Sequence, residues 1–171
     1  MKNITLRIFA ETDAADVRDL FIKTNRLLAP PHLKNRFEDY ITVSLTKEIG
    51  RISDYYAEKQ GNFWVATCDT DLVGMFGLEP SGANSMELRR MYVNRDWRRQ
   101  GIAQKMLQFA EDTCRSAGIR RLDLSTSELQ GEALSFYRNA GYDPEQEVIA
   151  DQPSNKTIGG GIRRFYFKKM L

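Results

Sequence analysis

The 171-residue sequence predicts a single α/β domain, residues 1–171, built around one mixed β-sheet. Strand and helix patterns follow one another along the whole chain in the order β-α-α-β-β-β-α-β-α-β-β. A strand, a helix and a strand in the middle of the chain imply a parallel strand pair, whereas hairpin-like pairs on either side imply antiparallel neighbours. No repeat, low-complexity tract or linker interrupts this order, and the length suits one domain.

The elements of the first half follow from periodicity and from breaker residues. Alternation predicts strands, and apolar residues at a spacing of three and four predict helices. The predicted elements are a strand at 4–8, a helix that follows the cap Thr12-Asp13 and ends at Pro30-Pro31, a helical stripe over 37–56 that Gly50 splits, and a hairpin of strands 63–67 and 72–78.

The second half shows the clearest strand-helix-strand pattern of the chain. Residues 80–84 are expected to form a loop, and the remaining predicted elements are a strand at 86–93, an amphipathic helix at 102–117 that Gly118 ends, a strand at 121–126, a helix at 131–140, and a closing pair of strands at 148–150 and 162–167.

Composition narrows the classes of function. The net charge is only +2, which argues against nucleic acid and a membrane surface as partners. The start of the chain has no signal-peptide pattern, and no apolar run approaches the ~20 residues of a membrane helix, so a cytoplasmic protein is expected. The two cysteines, Cys68 and Cys114, lie in apolar patterns, and His32 is the single histidine. No metal site is therefore expected, and a histidine-based catalytic machinery is disfavoured.

The segment with the clearest chemistry is Arg98-x-x-Gly101-x-Ala103, which lies between a predicted strand and a predicted helix. The first turn of a helix has unpaired N–H groups and a partial positive charge. A glycine lets the backbone approach a phosphate closely, and Arg98 and Arg99 add positive charge. The segment matches neither the Walker A nor the dinucleotide-binding pattern, so it predicts an anion site of another kind.

Two motifs at the expected separation resemble the GNAT superfamily of N-acetyltransferases. Strand Met91-Tyr92-Val93 with the Arg98-x-x-Gly101-x-Ala103 turn is similar to the family's acyl-CoA motif, and residues 133–142 (ALSFYRNAGY) resemble its second motif. The resemblance implies a GNAT-type, centrally splayed mixed sheet flanked by helices, and acetyl-CoA as co-substrate. Glu132 and Tyr142 depart from the family pattern, and the first leaves open which side chain contacts the pantetheine arm.

The resemblance also implies roles for individual residues. Backbone groups of the splayed strand would pair with the pantetheine arm, and N–H groups from Arg99 to Gln104 would hold the pyrophosphate. The expected cofactor-binding residues are Met91, Tyr92, Val93, Arg98, Arg99, Gln100, Gly101, Ile102, Ala103, Gln104 and Tyr137.

Glu87 and Tyr137 are the catalytic candidates. A protonated amine must lose a proton before it attacks, and a carboxylate, often through water, can accept that proton. Glu87 resembles the family's glutamate at this place, with Glu79 and Glu128 as rivals. Tyr137 lies where many members have a tyrosine that protonates the departing thiolate. Cys114 is expected to be a buried structural thiol instead of an acyl carrier.

The acceptor is not named by the sequence. A primary amine on a small molecule or a protein is expected. The sequence leaves the oligomeric state open, with a homodimer as one option. In the family, residues equivalent to 24–60 and 143–161 set acceptor specificity. In the first segment Phe37, Tyr40, Tyr55 and Tyr56 form either an aromatic acceptor pocket or part of the core.

Two other classes of function fit the sequence less well. One is a non-catalytic acyl-CoA sensor of the same fold, against which intact Glu87 and Tyr137 argue. The other is a nucleic-acid binder, which is disfavoured because the relevant arginines alternate with apolar residues; these are Arg89, Arg90, Arg95, Arg98 and Arg99.

Overall fold

The computed structural model describes residues 2–171, which form one seven-stranded mixed sheet with helices on both faces. The strands are β1 (Ile4–Ile8), β2 (Asn62–Cys68), β3 (Asp71–Gly82), β4 (Ser85–Val93), β5 (Arg121–Ser127), β6 (Asp143–Ala150) and β7 (Ile162–Met170). The helices are α1 (Ala14–Leu28), α2 (Lys34–Lys47), α3 (Ile52–Lys59), α4 (Ile102–Ser116) and α5 (Gly131–Asn139). The order across the sheet is β1-β2-β3-β4-β5-β7-β6, so the predicted fold class is confirmed.

Alternation along the central strands builds one core on each face of the sheet. In β2, Trp64 and Ala66 join the core under α4 and α5, whereas Phe63 and Val65 join the core under α1, α2 and α3. Successive side chains of a strand point to opposite faces, so a strand buried on both sides supplies both cores. Two helical layers therefore hold the sheet rigidly around its centre.

The sheet opens at its centre, between β4 and β5. These two strands are parallel and pair over only three residues, from Ser85–Arg121 to Glu87–Asp123. Beyond Glu87, β4 follows β3 alone, and its register shifts across a bulge at Arg90, whose φ is +55°. A bulge bends a strand and increases its twist. The resulting gap between β4 and β5 is the splay that the resemblance predicted.

Two predicted boundaries were wrong. Residues 80–82 belong to β3 and not to a loop, since Pro80 pairs with Met86 and Gly82 with Ser85 across a tight turn. Strand β6 begins at Asp143 and not at 148, because its polar first half pairs with β7 at the sheet edge. The helical stripe predicted over 37–56 is split around Gly50 as expected, with α2 before this glycine and α3 after it.

Candidate functional site

Two adjoining cavities occupy the gap between β4 and β5. The larger, of about 720 Å³, lies between β4, the turn before α4, and the start of α5. The smaller, of about 80 Å³, lies on the side of β4 that faces α2 and the β6–β7 loop. The residues that line both cavities are Met91, Tyr92, Gln130, Ala133 and Tyr137. A ligand in one cavity would therefore lie close to a ligand in the other.

The larger cavity gathers nearly the whole predicted cofactor set. It is lined by Met91, Tyr92, Val93, Arg98, Arg99, Gly101, Ile102, Ala103, Gln104 and Tyr137. Gln100 is the exception: it does not line the cavity, and its side-chain amide donates to the Asp96 carbonyl at 3.5 Å. Glu132, which departs from the family pattern, lines the same cavity and lies 3.5 Å from Arg99 across its rim.

The turn before α4 has the geometry of an anion site. Arg99 and Gly101 adopt φ angles of +60° and +78°, which turn successive N–H groups in one direction. Within residues 2–171, the N–H groups from 99 to 104 find no protein acceptor, and the first helical bond is Lys105 N–H to the Gly101 carbonyl at 3.0 Å. Apart from Gly101 and its two chain neighbours, no residue has an atom within 4 Å of the position that a Gly101 Cβ would take. The turn thus offers free donors and open space at the positive end of a helix.

The rim of this turn is arginine-rich. Arg98 and Arg99 are exposed beside Gly101, and the Arg98 Nε donates to the Val93 carbonyl at 3.4 Å. This contact ties the turn to the end of β4. Two guanidinium groups beside free N–H donors fit an anion such as a pyrophosphate.

Tyr137 lies in the wall that the two cavities share. It projects from α5 and packs edge-on against Phe136 and Tyr142. In the described part of the chain, its hydroxyl has no hydrogen-bond partner. Burial raises the pKa of Tyr137 above its ordinary value, and nearby Tyr92 adds to the increase, while Arg164 opposes it. The hydroxyl is therefore neutral at pH 7 and is available as a hydrogen-bond donor in the shared wall.

Glu87 lines the smaller cavity, and it is the last residue of β4 that pairs with β5. Its Oε2 accepts from Lys156 Nζ at 2.7 Å, and its side chain is 17% exposed. The rival Glu79 is more deeply buried, accepts from the Tyr55 hydroxyl at 2.7 Å, and lines neither cavity. The rival Glu128 is exposed and accepts from the Arg163 N–H, also outside both cavities. Of the three carboxylates, Glu87 alone faces the gap.

A buried charge network adjoins the smaller cavity, since Arg89, Arg90 and Asn155 line this cavity and all contact Glu48. Glu48 of the α2–α3 turn is fully buried and contacts Arg89, Arg90, Tyr56 and Asn155. Burial would raise the pKa of the Glu48 carboxyl, but Arg90 and Arg89 outweigh it and lower the pKa to about 2. Glu48 is thus ionised. Within residues 2–171 it is the one carboxylate paired with Arg90, and it shares Arg89 with Glu79 and Glu87, which lie 3.6 and 3.7 Å from that guanidinium.

Several residues of the smaller cavity are absent from the sequence prediction. They are Arg164, Asn155, Lys156, Gln130, Ser125 and Thr126. Asn155 and Lys156 belong to the segment expected to set acceptor specificity, but an exposed loop carries no periodicity that would single them out. All four aromatic residues of the first segment belong to the core, and Tyr40 alone among them also lines this cavity.

Other candidate groups lie away from the gap. His32 is exposed before α2 and lines neither cavity, and Cys114 is buried in α4, where burial, and then Glu111, raise its thiol pKa to about 11. Within residues 2–171, His, Cys, Asp and Glu side chains form no cluster that could hold a metal ion. None of the helices described combines the length and the apolar character that a bilayer crossing requires.

The sequence model of the Acetyltransferase (GNAT) family matches residues 23–142, which cover most of the chain, including β4, which lines both cavities, and α4, which lines the larger one. The chain belongs to the GNAT acetyltransferase family. A Xenopus tropicalis relative, Probable N-acetyltransferase 14, is 36% identical over 97 residues, covering 56% of this chain and 47% of its own. The chain spans about half the length of the curated relatives it matches.

Solved GNAT structures share the fold along the whole chain. An acetyltransferase from Streptococcus agalactiae superposes with a TM-score of 0.76 at 19% identity, covering 100% of both chains. The PaiA N-acetyltransferase from Thermoplasma acidophilum, described in complex with coenzyme A, gives 0.72 at 20% identity, covering 99% of both. At these identities the likeness establishes the GNAT fold.

Proposed function

We propose that the protein transfers an acetyl group from acetyl-CoA to a primary amine by direct attack of the amine on the thioester. The observation that carries the proposal is the pair of adjoining cavities. One of them ends at the turn before α4, with its free N–H donors, the other contains a carboxylate, and Tyr137 lies in their common wall. Family membership and a GNAT neighbour described with coenzyme A support the same assignment of the co-substrate.

The larger cavity would hold the cofactor. The free N–H groups from Arg99 to Gln104, with Arg98 and Arg99, would bind the pyrophosphate. The arm would run along β4 at Met91 and Val93, where the missing β5 partner leaves backbone groups to pair with its amides. This course brings the thioester towards the wall that contains Tyr137.

The smaller cavity would hold the acceptor amine beside Glu87. An alkyl ammonium has a pKa of about 10.4, so Glu87 must accept its proton, directly or through water, before the nitrogen can attack. The C–N bond then forms and the C–S bond breaks. Tyr137 gives its proton to the thiolate and regains one from the nitrogen, which loses its second proton as the amide forms. Lys156 now pairs with Glu87, so an incoming amine would take the place of its ammonium group.

A screen of amines for acetyl-CoA-dependent release of free CoA tests this proposal. We expect release with at least one primary amine and, in Glu87→Gln, a pH–rate profile that moves upward because only amine already neutral in solution can react. The change Glu128→Gln is the matched control, since this carboxylate lies outside both cavities. Binding of acetyl-CoA without release for any amine would favour the sensor alternative. An unchanged profile in Glu87→Gln would remove the base role.

A further inference from the structure

The side chain of Lys156 presents a primary amine at the place where the proposed function requires one. Its Nζ lies 2.7 Å from Glu87 Oε2 and 3.3 Å from Glu79 Oε1. Lys156 lines the smaller cavity, which shares Tyr137 and four other residues with the larger one. The nucleophile, the carboxylate and the shared wall are therefore already assembled within one chain.

The β6–β7 loop holds Lys156 in this position. The Ser154 hydroxyl accepts from the N–H groups of Lys156 and Thr157, both at 3.1 Å, and closes a tight turn. The next anchor is Asn155, whose side-chain oxygen accepts from Arg90 at 2.7 Å and whose amide donates to Glu48 at 2.9 Å. A nucleophile held in place avoids most of the entropy cost of a bimolecular encounter.

We propose that the protein acetylates itself at Lys156, using the acetyl-CoA site of the proposed function, on which this inference rests. The Lys156 ammonium gives one proton to Glu87, and its neutral nitrogen attacks the thioester carbonyl carbon. The C–N bond forms and the C–S bond breaks. The products are the amide, CoA as the free thiol, and one released proton. Because the amide is uncharged, the reaction also ends the ion pair with Glu87.

Lys168 offers a matched internal control. It is 40% exposed against 46% for Lys156, and it also pairs with a glutamate, Glu145, at 3.5 Å, but it lines neither cavity. Purified protein is incubated with acetyl-CoA in the absence of any added amine, and peptide mass spectrometry follows each lysine over time. Heat-unfolded protein gives the rate of uncatalysed acetylation, at which the two lysines should react alike.

We expect Lys156 to be modified at least about tenfold faster than Lys168 in the folded protein. General acid–base catalysis typically contributes about 10²–10⁴-fold, so tenfold is a conservative threshold. The half-time should not depend on protein concentration, because the reaction is intramolecular. In Glu87→Gln the advantage of Lys156 should fall at least about tenfold, whereas Glu145→Gln should leave the rate at Lys156 unchanged.

Equal rates at Lys156 and Lys168, or a half-time that shortens with protein concentration, would overturn the inference. If an added amine is acetylated while Lys156 stays unmodified, the inference fails and the proposed function stands. If acetyl-CoA does not bind at all, both fail.

Discussion

At the scale of single residues, Tyr137 combines a position in both cavities with a hydroxyl that burial keeps protonated. We expect Tyr137→Phe to lower kcat roughly a hundredfold, the low end for acid catalysis, because a thiolate is a fair leaving group already. The ring and its packing remain, so acetyl-CoA affinity should stay nearly intact. Steady-state kinetics with calorimetric CoA binding measures both quantities.

Tyr142→Phe is the matched control. Tyr142 is also buried and packs against Tyr137, but its hydroxyl donates to Glu111 at 3.1 Å, away from both cavities. Its kcat should match that of the wild type. If Tyr137→Phe keeps kcat within threefold, Tyr137 is not the acid. If binding weakens in step with the rate, Tyr137 packs against the cofactor and water protonates the thiolate.

Glu48 is a single residue that we expect to stabilise the fold. Removing the charge in Glu48→Gln leaves Arg90 buried without its carboxylate and Arg89 with only the more distant Glu79 and Glu87, which we expect to cost about 3–5 kcal/mol of unfolding free energy. Chemical denaturation measures the loss. The exposed Glu38, paired with Arg26, provides the control Glu38→Gln, which should change the free energy by less than about 1 kcal/mol.

The pH dependence of this contribution has a definite sign. The folded pKa of Glu48, about 2, lies below the unfolded value of 4.5, so its stabilisation is complete above pH ~4.5 and is lost as the pH falls towards 2. Glu48→Gln should therefore lose less stability than the wild type across that window. Identical acid unfolding profiles would contradict the assigned charge state.

The sequence could not predict this residue. Glu48 is a charged residue directly after α2, where a solvated side chain is expected, and its burial depends on two arginines about forty positions later. Sequence periodicity is a local signal, and it does not reveal contacts between residues about forty positions apart. Glu87 and Tyr137, in contrast, could be predicted as candidates because they lie at positions that resemble those of the family.

At the scale of elements, the turn into α4 was predicted well because its determinants are local. Gly101 and Gly118 flank the same helix, adopt φ angles of +78° and +74°, and both leave open space for a side chain. Gly101→Asp and Gly118→Asp therefore impose a similar backbone strain, about 1–2 kcal/mol. Only the first places a carboxylate where the pyrophosphate would bind.

We expect Gly101→Asp to abolish the increase in melting temperature that acetyl-CoA causes, and Gly118→Asp to retain it. Thermal melting of both variants, each with and without acetyl-CoA, provides the comparison. A full ligand-induced shift in Gly101→Asp would remove the turn from the binding site.

The two misjudged elements show where local patterns fail. Proline and glycine at 80–82 favour a loop, but pairing with the start of β4 keeps them in β3. The first residues of β6 are exposed and polar, so they lack the alternation of a half-buried strand. They form a strand because they pair with β7.

At the scale of the whole molecule, the candidate site depends on the open centre of the sheet. Three paired positions join β4 to β5, after which the strands separate and the two cavities fill the gap. The sequence predicts that a parallel pair exists but not where its pairing stops, because that depends on the bulge at Arg90 and on the charge network beneath it. Only the family resemblance indicated the splay beforehand.

The most direct test of this architecture is the melting temperature of the protein with and without acetyl-CoA. A ligand that binds only the native state stabilises it by roughly 2.7 kcal/mol at a hundredfold excess over Kd. For a chain of this size that corresponds to an increase of roughly 5–10 °C. We predict such an increase with acetyl-CoA, and no shift at millimolar acetyl-CoA would contradict the cofactor site between β4 and β5.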